Sequence, residues 1–318
     1  MNIDNGIGVR EAEAFLVDYY KIESAENLGV EILGEGAWSR CFGFQHGSEN
    51  LAIRFGNYVE DFHKDQHAYG YAVPGLPIPK VFDIGRAYDG HYAISTQVYG
   101  VPLESVDANQ WLAVVPSVVV ALEAKRIADL SASTGFGGWD KDGNATCMSW
   151  LDDLLTVTND KPDERGYGWR KKLAKSAYGD ATFIWGLDLL QQVFSDIDIS
   201  AIPRCLIHGD LINRNVLAEN DKISGLFDWG CSRYGDHLYD LAWFEFWSPW
   251  YPELDMQILR SALEERWHDI GYKPQEKEAR LRICYLHIGL DHLAYNAFID
   301  DEVNLVASAD RMRALLCN

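Results

Sequence analysis

Apolar and polar residues alternate in short bursts over the first hundred positions, then recur every three to four positions to the end of the chain. The opening stretch, residues 9–21, has helical spacing and places Phe15, Leu16, Tyr19 and Tyr20 on one side. Period-two runs follow at 29–33, 41–45 and 51–55, separated by turn residues that include the His46–Asn50 stretch HGSEN. Residues 58–71 suit a helix that breaks at Val73-Pro74-Gly75, and 80–85 and 91–97 read as two strands around the turn Ala87-Tyr88-Asp89-Gly90. Beyond about residue 110 the pattern predicts helices over 110–131, 169–194, 237–247, 255–270, 277–298 and 303–316, interrupted by a β-rich insert at 204–228. The expected architecture is α+β and two-lobed: a small β-rich lobe over 1–98, a hinge near 97–102, and a larger helical lobe over 99–318. A cleft between two such lobes is a common place for a ligand.

Composition narrows the classes of function. The 318 residues include 48 acids against 28 Lys and Arg, a formal charge of −20. That balance argues against general binding to a phosphate backbone, which needs basic surface, and suits either a cationic ligand or plain solubility. The longest apolar run, 112–122, is interrupted by Pro116 and falls well short of the ~20 residues that cross a bilayer. Acids precede any apolar stretch at the N-terminus, so no secretory signal is expected and a cytoplasmic monomer is. The six cysteines are scattered, with no CxxC pair, which fits free thiols in a reducing compartment.

Candidate chemistry concentrates in His208-Gly209-Asp210-Leu211-Ile212-Asn213-Arg214-Asn215-Val216-Leu217, followed by Ile223-Ser224-Gly225-Leu226-Phe227-Asp228-Trp229-Gly230. Apolar runs flank the polar residues on both sides, predicting short buried strands that hold Asp210, Asn215 and Asp228 at a cleft floor. Oxygen-bearing side chains of this kind suit Mg²⁺, which keeps waters and substrate phosphates as its other ligands.

The spacing H-G-D-x-x-x-x-N with a later Asp in a hydrophobic strand resembles the phosphotransferase superfamily of protein kinases and aminoglycoside kinases. Gly209 and Trp229 replace the Arg and Phe of the protein-kinase pattern, Ile212 stands where a Lys is usual there, and no A-P-E follows. The variant is that of small-molecule kinases. The resemblance implies that Asp210 accepts or orients the proton of an attacking hydroxyl, and that Asn215 and Asp228 position Mg²⁺ on ATP. It also implies that Arg54, in Leu51-Ala52-Ile53-Arg54-Phe55, meets the α/β-phosphates in place of the usual Lys. Asp65 would be its acidic partner, with Glu60 and Asp61 as competitors. Gly34, Gly36 and Ser39, in Leu33-Gly34-Glu35-Gly36-Ala37-Trp38-Ser39, form either a phosphate-facing loop or an ordinary hairpin. Gln97 and Val98 would meet adenine.

Whole blocks (LGEGAWSRCFGF, LPIPKVFDIG, SASTGFGGW, FDWGCSRYGDHLYDLAWFEFWSPW) resemble the hygromycin-B phosphotransferases over residues 28–300. The resemblance implies an ATP- and Mg²⁺-dependent antibiotic kinase acting on an aminoglycoside hydroxyl. A kinase of a macrolide, choline or sugar, and a non-catalytic nucleotide-binding relative, are the alternatives. Asn213-Arg214 departs from the pattern and puts a cation beside Asp210.

Between Asp196 and Asp255 stand eleven acids against four bases, a charge pattern able to steer an amino-sugar. Glu245, Trp247 and Asp291 are the substrate-contact candidates, Trp247 through a cation–π term. Asp236 reads as a helix N-cap, Asp240 as support for the catalytic loop, and His208 as a structural residue bonded to backbone near Asp228.

Overall fold

Alternation in the third strand shows how the first lobe is built. The computed structural model of the chain describes residues 7–36, 38–212 and 214–316. Helix α1 (Val9–Tyr20), strands β1 (Glu31–Glu35), β2 (Ser39–His46) and β3 (Glu49–Gly56), helix α2 (Val59–Ala68), and strands β4 (Val81–Ala87) and β5 (Gly90–Thr96) make this lobe. The five strands form one antiparallel sheet ordered β1-β2-β3-β5-β4. Leu51, Ile53 and Phe55 of β3 bury into one apolar cluster with Phe42, Phe44 and Ile94, covered by Ala12 and Leu16 of α1. Successive strand side chains point to opposite faces, so Arg54 lies on the other face. There it pairs in register with Ala93, which packs against Phe62 of α2.

Past β5 and a four-residue link the chain enters β6 (Val101–Pro102), which pairs with a later strand at Leu217 and Ala218 and so belongs to the second body. That body contains α3 (Ala108–Arg126), β7 (Phe136–Trp139), β8 (Ala145–Cys147), α4 (Trp150–Leu155), α5 (Trp169–Leu173) and α6 (Ala181–Ser195). Strands β9 (Cys205–Ile207), β10 (Val216–Glu219), β11 (Lys222–Leu226) and β12 (Arg233–Gly235) follow, then α7 (Leu238–Trp247), α8 (Met256–Asp269), α9 (Lys277–Phe298) and α10 (Glu302–Leu316). Helix α9 packs against α5, α6, α7 and α10 and is the axis of the helical core. Strands β11-β10-β6 form a three-stranded sheet, and β8-β7-β12-β9 a four-stranded one.

Three departures from the sequence pattern have physical causes. The helix expected over 169–194 is two helices, because Gly179 takes a left-handed φ of 59° in the turn between them. Pro116 sits inside α3, which begins earlier than expected with Asp107 accepting from the Asn109 and Gln110 amides. Strands β7, β8 and β12, only three or four residues long, carry too little periodicity to be seen in isolation. No helix is long and apolar enough to cross a membrane among the described residues.

Candidate active site

The loop between β9 and β10 is fastened from behind by a buried carboxylate. Asp240, on α7, accepts from the His208 amide at 3.0 Å and the Gly209 amide at 2.9 Å, and is ion-paired with Lys125 of α3. Burial raises the Asp240 carboxyl, but Lys125, His208 and these amide bonds outweigh it and hold the group below its ordinary range. Gly209 has φ 78°, and a Cβ there would meet the Cys231 carbonyl at 2.8 Å. The glycine of the motif is therefore fixed by both conformation and space. His208 is fully buried; its Nδ1 accepts from the Asp210 amide at 3.2 Å, and its Nε2 lies 3.1 Å from the Phe227 carbonyl oxygen. Those partners put the single proton on Nε2, which then donates to Phe227. Burial, followed by the charge of Lys125, lowers the imidazole to about 4. Its role is structural, as the sequence reading expects.

Neutral buried histidines make stability depend on pH. His237 is likewise lowered to about 4 by burial, and His287 falls well below its ordinary value by burial and then Arg233. The unfolded chain binds protons from about pH 6.5 downward, whereas the fold refuses them until about 4 at His208 and His237. Stability is therefore expected to fall as pH drops through that window, each histidine adding up to about 1.4 kcal/mol per unit. Denaturant midpoints measured at neutral pH and at mildly acid pH check this; identical midpoints would contradict it.

Asn215 joins the two halves of the motif. Its Nδ2 donates to the Asp210 carbonyl at 3.0 Å and to Asp210 Oδ2 at 2.9 Å, while its own carbonyl accepts from Phe227, next to Asp228. Asp228 follows β11 with left-handed φ and ψ of 62° and 63°, a strained conformation for a residue with a Cβ. Its carboxylate is 45% exposed and lies 3.7 Å from Arg54. Arg54 also pairs with Asp65 of α2, and its guanidinium stands 4.7 Å from the Phe62 ring centroid. Asp65 accepts from the Trp229 amide at 2.8 Å, so α2 and the residues after Asp228 are joined. Burial lifts the Asp65 carboxyl to about 6 against the pull of Arg54. Burial also opposes the charge on Arg54, but Asp65 and Asp228 more than offset it and raise the guanidinium further. The competitors Glu60 and Asp61 are engaged elsewhere, by Arg165.

The remaining nucleotide-side candidates lie on and after β1, at the start of β2 and past the end of β5. Gly34 sits in β1, the Gly36 amide donates to the Ser39 carbonyl at 2.9 Å, and Ser39 begins β2. The Gln97 amide donates to the Asn50 carbonyl at 3.2 Å, and its side chain lies against Gly43. Val98 packs so closely on Gly225 that any Cβ there would be 2.3 Å from its γ-carbon.

Residues 53–275 match the phosphotransferase enzyme family APH. Over 290 residues the chain is 31% identical to hygromycin-B 4-O-kinase of Escherichia coli, covering 91% of this chain and 79% of that protein. The chain belongs to the APH phosphotransferase family. The structure of aminoglycoside phosphotransferase APH(4)-Ia superposes with a TM-score of 0.82 at 28% identity, covering 98% of this chain and 99% of that one. A ternary complex of a thermostable APH(4)-Ia variant with AMP-PNP and hygromycin B gives 0.81 at 28% identity over 96% and 98%. The two-lobed, kinase-like α+β fold expected from the sequence is the fold of this APH chain.

On the acceptor side the APH chain departs from its sequence reading. Glu245 is buried: its carboxylate is ion-paired with Arg260 of α8 at 2.6 Å and accepts from the Tyr285 hydroxyl of α9. Facing the helical core, it leaves the set of contact candidates. Trp247 is half-buried among Trp243, Phe246, Trp250 and His292. Asp291 is exposed on α9. Asp236, read as an N-cap, does accept from the Leu238 amide at 3.0 Å, but its main partner is Arg280, which donates to both its oxygens.

Asn213 lies outside the described residues. Its neighbour Arg214 is exposed at φ 67°, its amide held by Glu104. Tyr251 and Tyr295, which the sequence reading missed, feel the charge of Asp210, although burial is the larger cause of their raised hydroxyls. Each comes from a distant element with no motif around it.

Proposed function

We propose that this chain transfers the γ-phosphate of ATP to a hydroxyl of an aminoglycoside, with hygromycin B the first acceptor to test, and that it acts as a cytoplasmic monomer. The reading is supported above all by two contacts: Asn215 bonds the Asp210 carboxylate at 2.9 Å, and Arg54, from the first lobe, stands 3.7 Å from Asp228. The 31% identity to hygromycin-B 4-O-kinase supports the choice of acceptor.

The donor set fits Mg²⁺. Asn215 commits its Nδ2 to Asp210 and so turns its amide oxygen to the task, while Asp228 offers a half-exposed carboxylate. Among the described residues no three His, Cys, Asp or Glu side chains gather as a metal cage. Mg²⁺ takes few protein ligands and keeps waters and phosphates as the others. When bound, the ion neutralises charge on the β- and γ-phosphates.

The chain's own residues do the rest. Arg54, aimed by Asp65, neutralises charge on the α/β-phosphates. The turn carrying Gly34, Gly36 and Ser39 closes over them, and the segment at Gln97 and Val98 bounds the adenine. Asp210 orients the acceptor hydroxyl and takes its proton as the oxygen bonds to phosphorus and the bridge to the β-phosphate breaks, releasing ADP. Alignment and charge stabilisation are what a loose phosphoryl-transfer transition state requires. Asp291 and Trp247 border the space left for the amino-sugar, where a negative surface favours ammonium groups.

Purified protein with MgATP is expected to release ADP when hygromycin B is added, and far less when a neutral sugar is. No turnover across a broad panel of aminoglycosides would overturn the antibiotic reading.

A further inference from the structure

We propose that Arg165 is a positioning residue for nucleotide binding, reaching from the helical body to clasp the start of α2 and the aromatic pair beside the β1–β2 turn. The proposal rests on the kinase reading above. Arg165 lies between α4 and α5, more than a hundred residues from its partners in sequence. Its Nη1 donates to Asp61 Oδ2 at 3.0 Å, and its Nη2 to Glu60 Oε1 at 2.9 Å and Asp61 Oδ1 at 3.3 Å. The same guanidinium stacks 3.5 Å from the Tyr58 ring centroid and 5.5 Å from that of Trp38, and Trp38 meets Tyr58 edge-on at 5.3 Å. Trp38 immediately precedes Ser39, so its ring ties this cluster to the turn that faces the nucleotide.

Helix α2 is thereby held at two places. Arg165 grips its first turn, where acidic residues already suit the positive end of the helix. Further along, Lys64 donates to the Gly230 carbonyl at 2.7 Å and Asp65 accepts from Trp229, both just past Asp228. Asp61 touches both attachments, since its Oδ1 stands 3.1 Å from where a side chain on Gly230 would begin. A shift of Arg165 is transmitted to Trp38 on one side and, through α2, to the Arg54–Asp65 pair on the other. Simultaneous two-pronged bonding and ring stacking need a planar fork, which arginine has and lysine lacks. Partly exposed ion pairs of this kind contribute little to global stability, so the effect of losing one is expected in geometry.

Calorimetric titration with MgAMP-PNP tests the idea without any acceptor. Arg165→Ala is expected to weaken nucleotide binding about tenfold, and Arg165→Lys by an intermediate factor, since the charge remains but the fork does not. The thermal midpoint without nucleotide and the KM for the acceptor are expected to stay near those of the unchanged chain. The double variant Glu60→Gln/Asp61→Asn is expected to bind as weakly as Arg165→Ala, with no further loss when the two are combined. Nucleotide binding that is unchanged in Arg165→Ala would overturn the proposal. So would a loss accompanied by a lower thermal midpoint and an equal loss of acceptor affinity. If the unchanged chain itself binds no MgAMP-PNP, the kinase reading fails and takes this proposal with it.

Discussion

Asp210→Asn is expected to lower kcat by about 10²–10⁴-fold, the usual worth of a positioned general base, while MgAMP-PNP still binds. The substitution keeps the shape and leaves an oxygen for Asn215 Nδ2, which now bonds Asp210 Oδ2 at 2.9 Å. The backbone is also untouched, because the Asp210 amide reports to His208 and not to its own side chain. What disappears is the capacity to take a proton from the acceptor hydroxyl. Steady-state kinetics beside nucleotide titration separates the two effects. A variant that retains more than about a tenth of the rate would remove Asp210 from the proton-transfer step.

The second large effect is on stability. Lys125→Met is expected to destabilise the fold by about 3–5 kcal/mol, because it leaves the Asp240 carboxylate buried without its cation. Both side chains of this pair are only 2% exposed. Two amide bonds from His208 and Gly209 keep Asp240 ionised, so the carboxylate cannot shed its charge without releasing the catalytic loop. Lys125→Met/Asp240→Asn is expected to recover part of the loss, since the asparagine oxygen still accepts from one amide and no unpaired charge remains. Denaturant unfolding of the three variants gives the comparison. A loss under about 1 kcal/mol for the single variant would mean that water reaches the pair.

Most of the candidate site was legible because its signal is local. Asp210, Asn215 and the strand leading to Asp228 lie within 19 consecutive positions, and the apolar runs beside them can only be short buried strands. Period-two alternation likewise placed the five strands of the first sheet. Asp240 was read as support for the loop, and its amide bonds bear this out.

Tertiary pairing hid the rest. Glu245 looked like a free acid near a helix end, yet its partners Arg260 and Tyr285 arrive from two later helices, and no spacing rule couples them. Asp65 was read as the partner of Arg54 and is so paired, whereas the hold of Arg165 on its competitors Glu60 and Asp61 was hidden, because the loop of Arg165 carries no motif.

Arginine at position 54 has a pharmacological corollary. A guanidinium held charged between Asp65 and Asp228 offers an electrophile no lone pair, where a lysine amine would offer one. The nearby amine in that neighbourhood is Lys64, which burial biases toward its neutral form while its Nζ rests on the Gly230 carbonyl. An electrophile built for this enzyme would therefore have to be aimed at the helix instead of the sheet.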